Sequence, residues 1–218
     1  MKILISFLIL FLSFSYSSAQ QKEIWIPIQY HYPFNKVGKG KTKVYQNLKT
    51  AEQVFSDVHT QIVFNKRYLY STQYALDKKI DSSVFVNDKL IENYGFYNGR
   101  IIRREIKEDT IIDNGKKYGQ HVFNMIEKTN DIIHFINRTE EYIKDTSLNW
   151  QGKELDCIVI KAINIEVFQS KNNPSSKQER KINYIFYHAK GIGLVKFIRN
   201  DTNEASTWVL KAIREIKH

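Results

Sequence analysis

Along most of the chain, apolar side chains return at every second position in short runs that end at Gly, Asn, Asp or Ser. A two-residue period belongs to strands that turn one face toward a core. The first run covers residues 23–32, where Trp25, Pro27, Gln29 and His31 share a side. Pro27 cannot donate to a ladder, so this segment reads as an edge strand or a bulge. Residues 61–74 put Tyr68 and Tyr70 on one face, with Arg67 and Leu69 on the other. Asn98-Gly99 and Asp113-Asn114-Gly115 mark turns, and residues 121–137 read as a hairpin around Lys128-Thr129-Asn130. Residues 155–168 and 181–188 are expected to pair antiparallel across the polar loop 169–180. Cys157, Val159, Ile163, Ile165, Ile182, Tyr184 and Phe186 would then stand on the inward side.

Two segments depart from this period. Thr50 and Gln53 have capping-box spacing, and Ala51, Val54, Phe55 and Val58 share a helical face, which predicts a short helix. In residues 205–216, Ala205, Trp208, Val209, Ala212, Ile213 and Ile216 also form a helical face, although the STWVL within it is strand-like. The pattern describes a mainly β, antiparallel domain of about eight to eleven strands with minor helix.

Residues 1–19 stand apart. Lys2 precedes a nearly unbroken apolar stretch, Ile3 to Phe14, and Ser17-Ser18-Ala19 follow it with small side chains. This is the pattern of an export signal cleaved after Ala19, leaving 20–218 as one domain in the periplasm or outside the cell. No Cys lies near the cleavage point, so lipidation is not expected, and no later segment approaches the length of a membrane-spanning helix. The single cysteine excludes an intramolecular disulfide and a cysteine-built metal site. Cys157, between apolar neighbours, reads as a buried inert thiol.

Charge and chemistry narrow the picture further. Lys and Arg number 33 against 23 acids, a net charge of +10. If extended, residues 39–43 put Lys39, Lys41 and Lys43 on one face, a contact for an anionic envelope surface. Arg100, Arg103, Arg104 and Lys107 form a second basic patch. Nucleic acid is not an expected partner of an exported chain. The histidines form no HExxH pair; His121 and His134 could be hairpin neighbours but lack a third ligand, so no metal site and no cofactor are expected. There is no GxSxG elbow, and Glu92, Glu105, Asp109, Glu140 and Glu166 show no paired spacing. Glu140-Glu141 reads as a solvated charge pair. The chain is therefore expected not to be an enzyme. Gly191 and Gly193 suit a turn or bulge, since no phosphate-binding helix context follows them.

Two stretches carry a family resemblance. YHYPFNKVGKGKTKVYQN, residues 30–47, resembles an opening segment of secreted Bacteroidota proteins of unknown function. YHAKGIGLVKF, residues 187–197, resembles their late strand-glycine-strand element. Those proteins resemble, at fold level, the curved half-barrels of the lipoprotein carriers LolA and LolB. The resemblance implies a curved antiparallel sheet or half-barrel with minor helix, and a strand at 205–216. It also implies a concave face that accepts a hydrophobic or amphiphilic ligand, with Trp25, Tyr45, Tyr184 and Phe186 as lining residues. The chain departs at Lys39, Lys41 and Lys43, where polar or aromatic residues are expected, and it lacks the lipidation cysteine of LolB. The alternative is a structural or protein-interaction accessory of the envelope whose core is filled by its own side chains.

Overall fold

The computed structural model describes residues 26, 28–30, 40–76, 78–86, 89–97, 100–201 and 204–216. The leader, Trp25, Pro27, His31, Lys39 and the Asn98-Gly99 turn lie outside the described residues. A 3-10 turn at Ile28–Tyr30 precedes β1 (Lys41–Asn47), β2 (Gln53–Val63), β3 (Lys66–Ala75), β4 (Lys78–Val86), β5 (Lys89–Tyr97) and β6 (Arg100–Ile112). The second half holds β7 (Gln120–Lys128), β8 (Ile132–Trp150), β9 (Lys153–Ser170), β10 (Lys177–Ala189), β11 (Gly193–Asn200) and β12 (Ala205–Glu215).

Every strand pairs antiparallel with its sequence neighbour, and β1 pairs with β12. That last pairing overturns the half-barrel: Val44 stands opposite Ala212 and Asn47 opposite Trp208, so the sheet closes on itself. A half-barrel would leave two edges of unpaired N–H and C=O groups, and closure satisfies both. No α-helix occurs among the described residues. The helix expected around residues 50–58 is replaced by a loop and β2, in which Ser56, Val58 and Thr60 are buried at alternate positions. Its Val, Thr and Ile residues suit the pleat, and β1 and β3 supply ladders on both sides. The same argument decides the last segment. Residues 205–215 pair with β11 and β1, so the strand reading holds and the helical face does not form.

The expected β9–β10 pairing is present, with Lys181 opposite Ile165 and Phe186 opposite Ile160. The grouping of its side chains differs. Ile182, Tyr184 and Phe186 share a face with Asn164, Ala162 and Ile160, whereas Cys157, Val159, Ile163 and Ile165 belong to the opposite face. Both faces are apolar near residues 157–160, all four of which are buried, so alternation alone could not choose between them.

Tyr45, Cys157, Ala189, Val195 and Leu210 form a buried cluster beside the β10–β11 turn, with Leu148, Trp150 and Leu155 of the long β8–β9 hairpin against it. The Trp150 indole N–H donates to the Leu210 carbonyl at 2.7 Å, tying the hairpin to β12. Ile26 adds a second cluster with Ile158 and Ile160, against Tyr30, Tyr142 and Phe186. Cys157 is buried, and burial with the nearby Asp156 carboxylate pushes its thiol up to about 11, which leaves it inert at neutral pH. Gly191 and Gly193 have φ of 76° and 82°, the left-handed backbone of the β10–β11 turn.

The β2–β3 turn is built differently. Val63 pairs with Lys66, leaving Phe64 and Asn65 as a two-residue turn with φ of 47° and 60°. Two positive φ values define the type I′ class, which favours Asn and Gly. A Phe held there is strained on the order of 1–3 kcal/mol, and its ring is 96% exposed.

Candidate functional site

The lumen is the site that the strands enclose. Antiparallel register stacks the inward residues of β6 to β10 in rows. Arg104, Glu127 and His134 follow one another across β6, β7 and β8. Met125, Ile136, Glu166 and Arg180 make the next row from β7 to β10, and Phe123, Arg138, Asn164 and Ile182 the one after it. His121, Glu140, Ala162 and Tyr184 form a further row. These faces surround a cavity of about 1070 Å³.

One side of the cavity is charged. The Arg104 guanidinium donates to Glu127 Oε2 at 2.7 Å and to Asn93 Oδ1 at 2.7 Å, and also to Asp81 Oδ2. Asn93 in turn donates to Ser83 Oγ at 2.8 Å. Glu127 and Asn93 are buried, so the network stands where unpaired charge would be costly. A second network centres on His121, whose Nε2 lies 2.6 Å from Asp109 and Nδ1 3.2 Å from Glu140. Burial disfavours the charged ring, but the hydrogen bonds to Asp109 and Glu140 outweigh it and hold the imidazole pKa up to about 9. Glu140 is buried, which would raise its pKa, yet the Arg138 guanidinium and His121 hold it down to about 2. Asp109 is fixed from behind by the Leu90 backbone N–H at 3.1 Å.

This histidine has the partners of a catalytic base without the opening for one. Both ring nitrogens face carboxylates, so neither is directed at a substrate. Among the described residues no group of three His, Cys, Asp or Glu side chains is placed to hold a metal ion. His121 and His134 do not meet: they stand opposite Glu140 and Glu127, in different rows. Nor is Glu140-Glu141 a solvated pair. Glu140 is buried in the network, and Glu141 is ion-paired with Lys116.

The other side of the cavity is aromatic. Tyr184 and Phe186 stack with centroids 5.4 Å apart, and Phe197 stacks on Trp208 at 5.8 Å. Phe186 approaches Phe197 at 6.3 Å, and Tyr45 meets Phe197 edge-on at 6.0 Å. Arg138 joins the two sides. Its Nε donates to Glu140 at 2.6 Å, while its guanidinium carbon lies 4.9 Å from the centre of the Phe186 ring. His134 stacks on Phe168 at 4.1 Å and lies 3.7 Å from Glu166, an ion-pair distance longer than a hydrogen bond.

Tyr184 and Phe186 thus lie together on the cavity wall, and Tyr45 lines it while belonging to the cluster with Val195 and Leu210. The Tyr45 hydroxyl donates to the Leu194 carbonyl at 3.0 Å, and burial raises its pKa. Of the three lysines, Lys41 pairs with Glu215 at 3.0 Å. Lys43 is only 4% exposed and gives its ammonium to the Ile192 carbonyl at 2.8 Å, and burial pulls its pKa down to about 7. Sequence reasoning missed Arg104, Glu127, His121 and Arg138 as lumen residues. A strand with polar residues on both faces does not announce which polar residues are inside.

No family model matches the chain, and no curated protein matches it. Among solved structures, one described as a lipoprotein of Parabacteroides distasonis shares 14% identity over 85% of this chain and 98% of its own, with a TM-score of 0.49. A second, described as an exported protein with a YmcC-like fold from Bacteroides fragilis, shares 10% identity over 84% of this chain and 98% of its own, with a TM-score of 0.45.

Proposed function

We propose that this chain is an exported, non-enzymatic accessory of the cell envelope that works through its outer surface, with the lumen serving as its core. Export is supported by Lys2, the apolar stretch to Phe14 and the Ser17-Ser18-Ala19 tail. One observation carries the assignment of the lumen: the charges of its two networks, around Arg104 and His121, are paired with one another. Arg104 is held by Asp81 and Glu127, and His121 by Asp109 and Glu140. Groups engaged in this way stabilise a closed wall and leave little polar capacity for a ligand head group.

A second reading has its own support. The stacked rings of Tyr184, Phe186, Phe197 and Trp208 face the cavity, and an aromatic wall can accept an acyl chain or another amphiphile. Native mass spectrometry of protein recovered from its own envelope or secreted fraction separates the two. The expected species has the mass of the polypeptide alone. A stoichiometric lipid that survives desalting and is lost in F186A would establish the carrier reading instead.

A further inference from the structure

We propose that the β2–β3 hairpin is an anchor whose tip, Ile62-Val63-Phe64, inserts into an anionic lipid surface. This rests on the reading that the outer surface does the work, and it names the partner. The register makes the hairpin a projecting finger. Its last pair with β1 is Val58 with Lys41, and its last with β4 is Tyr68 with Val86, so Ile62 to Arg67 extend past the neighbouring strands. Exposure follows: Ile62 is 57% exposed, Val63 39% and Phe64 96%.

The chemistry is layered along the finger. Ile62 pairs with Arg67 on one face and Val63 with Lys66 on the other, so each face carries an apolar residue beside a cation. A groove in a protein would cover one face of such a ribbon. A fluid apolar phase covers both and accepts the ring at the tip as well. Between Asp57 and Asp77 the chain has Lys66 and Arg67 and no carboxylate, which gives the finger local positive charge. Behind the cations stand Tyr68 and Tyr70, with the Tyr70 ring stacked on His59 at 4.6 Å. Tyr68 stands opposite Gln61, so at roughly 3.3 Å per residue it lies about 10 Å behind Phe64. An apolar tip, a cationic collar and a tyrosine belt reproduce, in order, the layers of a bilayer surface. Exposed Arg103, Glu105 and Lys181 stand on the outer wall. These charges interrupt the outer wall, so it is not the continuous apolar band of a spanning barrel.

The test is vesicle co-sedimentation of the processed full chain, with phosphatidylcholine vesicles containing or lacking phosphatidylglycerol. The wild type should sediment with the anionic vesicles and be released by high salt. F64G relieves the left-handed strain, so it should unfold no earlier than wild type. Together with I62S it should lower partitioning roughly a hundredfold or more, as expected from withdrawing two large apolar side chains. K66E/R67E should abolish the preference for phosphatidylglycerol. A wild type that ignores both vesicle types, or an I62S/F64G variant that sediments equally well, overturns the anchor. A change in oligomeric state on I62S/F64G without a change in sedimentation makes the tip a protein contact and also overturns it. A lipid found inside the lumen would revise the proposed function and leave these outcomes untouched.

Discussion

The two sides of the lumen meet across one residue, Arg138, yet they hold the barrel together by different means. On the charged side, directional bonds to Arg104 and His121 fix β4 to β8 relative to one another. On the aromatic side, Tyr184, Phe186, Phe197 and Trp208 bring β10, β11 and β12 together by ring contact, with no requirement for a particular atom pair. A buried ion network fails when one member is lost, because the remaining charges are left desolvated. An aromatic wall loses only the contacts of the ring removed, and less where that ring already borders a cavity. The charged side should therefore be brittle and the aromatic side tolerant.

The largest expected effect is R104M. It leaves Glu127 buried and Asp81 half-buried without their shared cation, and should cost about 3–5 kcal/mol in denaturant unfolding. Adding D81N and E127Q should restore much of that loss, because the uncompensated charge disappears. If R104M alone costs no more than a surface substitution, the brittleness argument fails.

F186A should cost less, about 2 kcal/mol, since the ring is only partly buried and borders open space. Its thermal midpoint should fall by less than that of R104M. The reverse order would make the aromatic wall the principal support of the barrel.

A third effect is reached by pH. With its folded pKa raised from 6.5 to about 9, His121 contributes stability that is fully present below about pH 6.5 and is lost as pH rises through 9. Histidine ring titration by nuclear magnetic resonance should show His121 protonated on both nitrogens at neutral pH, with a midpoint near 9. A midpoint near the ordinary value would mean that the carboxylate pair does not hold the ring in solution.

Many of the strands are legible in the sequence, although the first half of β2 reads as helix, and the way they close is not legible. The β9–β10 hairpin can be read because a twelve-residue polar loop separates two β-rich runs. Its faces cannot be assigned, because Cys157 to Ile160 are apolar on both sides of the pleat. The hairpin at 121–137 is legible with its centre at Thr129. The true register, with Lys128 opposite Ile133, shifts that centre and places Glu140 opposite His121. A small change in turn position thus separates a solvated glutamate from a lumen ion network. Closure is hidden because nothing in residues 41–47 distinguishes a strand that will pair with a distant one. Tyr184 and Phe186 are legible as neighbours from their same-face spacing, whereas the lysines at 41 and 43 give no sign that Lys43 turns its charge inward.

The seam between β1 and β12 also sets the order of assembly. Eleven of the twelve strand pairings join neighbours in sequence and can form as local hairpins, whereas the last brings Lys41 to Glu215. Its loop-closure entropy falls due only after the meander exists, so closure is the slow and late event in folding. Until then β1 and β12 are bare edges that can capture another chain, and aggregation during refolding should begin there.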